Sequence, residues 1–297
     1  MNLDQLQIWN LQAFSLDLLV FVGLLISLKF LKGILSSVQS QAELVDKNNA
    51  AFGTSLGGGI LAVGIMLTGV ASGDFADSLV EEVTAMIVFG ILGLALVLAG
   101  RLLQDKLVLR QVDIHGELAK DNLACALLDV GHMLAVGLVV RSAMIWIPNS
   151  EFNIIPILVA AFFLSQVVLI IASMYRMQLF KMRNREQGTN LQGAILQGNT
   201  ALALRYAAFI IGIALAVTAA SNVVVFDFQN AWLSAAKWSG LALLFAPAYA
   251  IIVMLMRKIV LNGVDVAEEV DRQGNIGIAA VEGAIFIATG LVVTALI

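Results

Sequence analysis

Apolar residues in this chain come in long runs, without the period-two alternation of a half-buried strand. The runs cover 14–35, 50–70, 83–104, 123–147, 154–175, 201–225, 232–256 and 276–297. Each is close to the roughly 20 residues that a helix needs to cross the hydrocarbon of a bilayer. Short polar connections separate them. A water-soluble fold built from eight such runs would have little polar surface left to show to water. The pattern therefore predicts an all-α, polytopic membrane helix bundle of eight transmembrane helices.

Composition agrees: 60% of residues are hydrophobic and 13% charged, with a mean hydropathy of +0.93, against about 45–50% and about 25% in soluble domains. The single cysteine, Cys125, excludes a disulfide framework and a zinc ribbon. The opening "MNLDQLQIWNLQAFSLD" lacks the basic stretch of a cleavable signal, so the first run is expected to remain as a span.

The bases set the orientation. Lys29, Lys32 and Lys47 flank the first connection; Arg101, Lys106, Arg110 and Lys120 the third; Arg176, Lys181, Arg183 and Arg185 the fifth; Arg257, Lys258 and Arg272 the seventh. The other connections carry Asp74, Asp77, Glu81, Glu82, Glu151 and Asp227 and no base. By the positive-inside rule the basic connections are cytoplasmic, which turns both termini to the periplasmic side.

A repeat organises the chain. Every basic connection ends in an asparagine that opens the next apolar helix: "NAAFGTSLGGGILAVG" from Asn49, "NLACALLDVGHMLAVG" from Asn122, "NTALALRYAAFIIGIA" from Asn199 and "NIGIAAVEGAIFIATG" from Asn275. The unit is a helical hairpin, one helix running inward and one running outward. Four tandem hairpins form two pseudo-symmetric halves, 1–149 and 150–297, with a symmetry axis expected along the membrane normal. The asparagines suit N-caps, the side-chain oxygen accepting an otherwise unpaired backbone N–H; lining of a cytoplasmic mouth is the alternative. In the second and fourth hairpins Glu117 and Glu269 precede the asparagine, and Asp129 and Glu282 follow it by seven residues.

These stretches, "GELAKDNLACALLDVGHMLAVGL" and "EEVDRQGNIGIAAVEGAIFIATGL", resemble the YjfL-like family of bacterial inner-membrane proteins, a domain of unknown function, present here as two tandem copies. The resemblance implies a multi-pass protein of the bacterial inner membrane without an assigned activity. It also implies a context of envelope stress and membrane-remodelling partners. Since the family unit usually has four spans, single-unit relatives are expected to dimerise and this chain to contain that dimer internally; a further homo-oligomer is a candidate assembly.

A carboxylate inside a span costs about 2.5–3.5 kcal/mol on insertion scales and normally faces protein or water. Asn122, Cys125, Asp129 and His132 share one helical stripe, and Asn275 and Glu282 share the matching stripe of the last helix. If the halves pack about a pseudo-twofold axis, Asp129 and Glu282 face one another. Three readings of Asp129, His132 and Glu282 stand side by side. They are a proton or small-cation site, with Asn122 and Asn275 at its entrance; interhelical glue, with Arg205 as counter-ion; or, most weakly, a metal site of Cys125, Asp129 and His132. Arg205 is alternatively read as snorkelling toward head groups. Gly53 and Gly57 have small-xxx-small spacing for close helix contact. No Walker loop, zinc spacing or nucleophile elbow occurs. No enzyme activity, cofactor or nucleic-acid partner is expected. The functional expectations are ion permeation through the acidic site or, alternatively, a non-transporting scaffold for envelope-stress partners.

Overall fold

A computed structural model of the chain describes residues 3–35, 39–72, 78–147 and 154–297, with side chains in the first helix over 11–31. Asp74, Asp77, Glu151 and the Lys32 side chain, used above for orientation, lie outside the described residues. The helices are α1 (Leu3–Leu35), α2 (Ala50–Val70), α3 (Leu79–Leu107), α4 (Ile114–Ala119), α5 (Leu123–Trp146), α6 (Ile155–Arg183), α7 (Leu191–Leu196), α8 (Thr200–Val223), α9 (Ala231–Val260) and α10 (Ile276–Leu296). All but the six-residue α4 and α7 are long and apolar enough to cross a membrane. The chain is a multi-pass membrane bundle.

The spans form two layers. Helices α2, α5, α8 and α10 follow their asparagines and pack in a row in chain order; α1, α3, α6 and α9 form the second row against them. Row ends α2 and α10 make no substantial contact among the described residues. The hairpins are thus related head to tail. A twofold relation between halves would bring α2 against α10 whenever α5 meets α8. The expected pseudo-twofold pairing is therefore not what the chain adopts.

Small residues make the row tight, and they do so in register. The ninth residue after each cap meets the eighth of the next hairpin: Gly58 against Val130, Gly131 against Ala207, Ala208 against Gly283. A Cβ on Gly131 would come within 2.5 Å of the Ala207 backbone. The expected Gly53–Gly57 motif is not the contact. Gly57 has nothing within 4 Å of its Cβ position, whereas Gly58 and Gly59 meet Val130, Leu28 and Met133. The three-glycine run leaves α2 unbroken, because packing between α1 and α5 offsets the roughly 1 kcal/mol helix penalty of each glycine.

All four asparagines are N-caps, accepting from Phe52, from Ala124 and Cys125, from Leu202 and from Ile278. The residue before each cap is left-handed: Asn48 (φ 51°), Asp121 (59°), Gly198 (85°) and Gly274 (68°). Asn and Asp tolerate that region better than other residues with a Cβ, so the aspartate of "DN" fits where the other half has "GN".

The connections at the basic end are latched together. The cap amide of Asn49 donates to Glu43 Oε2, that of Asn122 to Glu117 Oε2 and that of Asn275 to Glu269 Oε2, each at 2.9 Å. It also reaches a carbonyl of the next hairpin: Asn49 to Leu118 at 2.8 Å, Asn122 to Leu196 at 3.3 Å, Asn199 to Asp271 at 3.3 Å. Acid and cap are six residues apart in the first and last hairpins and five apart in the second. The extra residue is absorbed by π-helical turns at Ala42–Asp46 and Ala267–Arg272, where α4 has an ordinary turn. Glu43 is held below the usual carboxylate range chiefly by Lys47 and also by Asn49, and Glu117 chiefly by Lys120 and also by Asn122.

Candidate functional site

Asp129 and Glu282 occupy equivalent places, yet each is closed within its own half. Asp129, 1% exposed, projects from α5 toward α2 and α3. Arg101 donates to its Oδ1 at 2.6 Å, and Ser55 donates to Oδ2. Glu282, fully buried, projects from α10 toward α8 and α9. Arg205 Nη2 and Arg257 Nη1 each donate to its Oε1 at 3.1 Å. Arg205 Nη1 also donates to Asp271 at 2.6 Å. The two acids draw their partners from different helices, Asp129 from α2 and α3 and Glu282 from α8 and α9.

The two sites follow one plan. In each, the acid lies seven residues after its cap and meets an arginine from the first helix of the same hairpin, Arg101 or Arg257. It also meets the residue six after the cap of the preceding hairpin, Ser55 or Arg205. The head-to-tail row creates this geometry twice and keeps the acids apart. Arg205 does not snorkel; it is 1% exposed and lies between two carboxylates. Asn122 and Asn275 serve as caps and latches. Cys125 is buried on the same helix as Asp129, but Asp129 is engaged by Arg101. The described residues hold no group of three His, Cys, Asp or Glu side chains arranged for a metal.

His132 points away from Asp129's partners toward the second half. Its Nε2 is 3.2 Å from the Tyr206 hydroxyl, the rings meeting edge-on. Tyr206 stands at the acid's offset in the third hairpin, so the α5–α8 joint replaces a carboxylate with a phenol.

Around this joint lie further buried polar groups. Gly100, Val136 and Phe162 bring α3, α5 and α6 together. One turn toward the basic end, the same three helices carry Gln104, His132 and Gln166. All three are at most 1% exposed, and both amide atoms of each glutamine and His132 Nδ1 lack a protein partner. Buried amides are normally satisfied by protein, water or a bound polar group, so this is a polar point in the bundle's interior whose partners the protein itself does not supply. Two glutamines inside apolar runs were the available signal. Arg101 stands near the end of its apolar run and reads from the sequence as flanking a connection, but α3 continues to Leu107 and holds it inside the bundle.

Arg176 also lies inside, on α6, 9% exposed, its guanidinium 5.5 Å over the Phe209 ring. Cation–π contact of this kind partly replaces the water it has lost.

The model of a family described as Domain of Unknown Function (DUF350) matches residues 5–144 and again 149–297. The chain belongs to that family. It carries two DUF350 copies in tandem, and each copy supplies one closed carboxylate site: Asp129 with Arg101 in the first, Glu282 with Arg205 and Arg257 in the second. Neither a curated protein nor a solved structure matches the chain.

Proposed function

We propose that this protein is a non-transporting, non-enzymatic scaffold of the bacterial inner membrane whose working surface is its basic, cytoplasmic end. The observation that carries this reading is the latch series, in which three caps in turn bind the following connection. Four connections so joined form one ordered plate, the form a recruiting surface needs and an ion path does not. Closure of both acids by arginine weighs the same way. A carboxylate paired at 2.6 Å with a guanidinium gives up that partner at considerable cost before it can take a cation. The contact residues are exposed charges such as Arg110, Arg185 and Glu186. Glu117 and Glu269 are excluded because they hold the caps. Photo-crosslinking in cells, with charge reversal at those three exposed positions, tests it. Adducts to a defined cytoplasmic partner are expected in the parent and lost in the variant.

One observation favours a second reading, proton or small-cation permeation through the joint of the halves: the unpartnered buried groups of Gln104, His132 and Gln166. Proteoliposomes holding the full chain and a pH-sensitive dye discriminate. The scaffold reading expects flux equal to protein-free vesicles. Flux above that level, lowered by His132→Gln or Asp129→Asn, would reverse the order of the two.

A further inference from the structure

Helices α6 and α9 are neighbours in the inward row, and both run apolar to basic in the same direction. Between them, floored by α8, lies a cavity of about 500 Å³ lined by Val168, Tyr175, Phe209, Ile213, Pro247 and Met254. Its walls are almost wholly apolar, and small residues flanking Pro247 leave it room. At the basic end of the same two helices a second cavity of about 700 Å³ is lined by Arg183, Arg257, Lys258 and Arg272, with Asp265 the one acid. From Tyr175 to Arg183 the helical rise is about 12 Å, and from Met254 to Arg257 about 5 Å. The apolar groove and the basic pocket therefore lie within about 12 Å of each other along the same two helices.

Within the basic pocket, Arg257 binds Glu282 and Arg272 binds Glu268. Arg183 and Lys258 are exposed and have no ion-pair partner among the described residues. The first half offers a comparison. A groove of about 480 Å³ lies between α1 and α3, lined by Leu16, Leu19, Ile87 and their neighbours. The arginine corresponding to Arg257, however, is Arg101, withdrawn to 2% exposure beside Asp129. Apolar groove and basic mouth coincide at α6 and α9.

We propose that this is a binding site for one anionic phospholipid of the leaflet at the basic end. An acyl chain lies in the groove between α6 and α9, and the head-group phosphate lies on Arg183, Lys258 and Arg257. Basic pockets between spans recognise anionic head groups by charge, and the groove adds the area of a chain. The inference is independent of the scaffold reading.

Native mass spectrometry of the purified full chain, exposed to phosphatidylglycerol or phosphatidylcholine of identical acyl chains, tests it. The parent is expected to retain one phosphatidylglycerol in preference to phosphatidylcholine. Arg183→Ala with Lys258→Ala should lower that retention about tenfold or more, Arg183→Lys with Lys258→Arg should restore it, and Ala250→Phe should abolish it by filling the groove. Thermal melting of each variant is compared with the parent, and only variants of parental stability are scored. Equal retention of the two lipids, or full retention by the double alanine variant, would overturn the proposal. So would full retention by Ala250→Phe. Displacement of the lipid by millimolar inorganic phosphate would also overturn it, identifying the pocket as a site for free phosphate.

Discussion

Asp129 and Glu282 hold the same offset from their caps but differ in how many charges answer them. One residue of the preceding hairpin makes the difference. Ser55 gives Asp129 a hydroxyl, leaving Arg101 as its cation, while Arg205 gives Glu282 a guanidinium besides Arg257. Removing an arginine should therefore have unequal effects. Arg101→Ala strands a buried carboxylate, and breaking such a pair costs about 3–5 kcal/mol. Arg257→Ala leaves Glu282 with Arg205 and removes a side chain already 26% exposed, so its cost is expected below about 1 kcal/mol, as for a partly solvated pair. Thermal unfolding in detergent compares the two, and equal losses would contradict the assigned partners. Asp129→Leu added to Arg101→Met should recover much of the stability, since neither member of the fully buried pair is then left charged. Both acids were legible in the sequence because each interrupts an apolar run. Arg101 was not, because a base near the end of a run reads equally as a connection residue.

At the level of the helix and its connection, backbone approach decides which small residues matter. Gly131 and Gly57 look alike in the sequence, but only Gly131 lies against the Ala207 backbone. Gly131→Ala forces α5 from α8 and is expected to cost about 1–3 kcal/mol, the usual range for overpacking. Gly57→Ala should be neutral or stabilise by up to about 1 kcal/mol. Melting curves of the two variants distinguish these outcomes. Caps were readable from four asparagines at one position in the repeat. The π-helical turns were not, because a one-residue change in the Glu-to-Asn spacing has no local signature. Those latches also give a pH signature. Glu43 and Glu117 are held low in the folded chain by Lys47, Lys120 and the cap amides. A carboxyl depressed on folding stabilises above its unfolded value and loses that contribution as pH falls through its folded one. Stability should therefore decline on acidification below about pH 4.3, the ordinary glutamate value. Glu43→Gln with Glu117→Gln should flatten that limb of the melting-temperature profile.

For the whole molecule, the sequence specifies four equivalent hairpins but leaves open the operation relating them, since twofold and head-to-tail packing use the same repeat. The side chains that choose are those bridging successive hairpins. The Ser142 and Ser221 hydroxyls lie 2.6 Å apart across the α5–α8 joint, and Trp146 donates to the Val224 carbonyl beside them. Asp129 and Glu282 instead point into different joints, α2–α5 and α8–α10. Cysteine pairs convert this difference into chemistry, because a disulfide needs Cα atoms within about 7 Å. With Cys125 replaced by alanine, Ser142→Cys with Ser221→Cys should oxidise within one chain and yield a linked peptide pair by mass spectrometry. Asp129→Cys with Glu282→Cys should give no intrachain link under the same conditions. The reverse result would mean that the halves face each other about a twofold axis, with the acids sharing one centre. Both outcomes preserve the eight spans and the caps, so the experiment reads the arrangement of the hairpins alone.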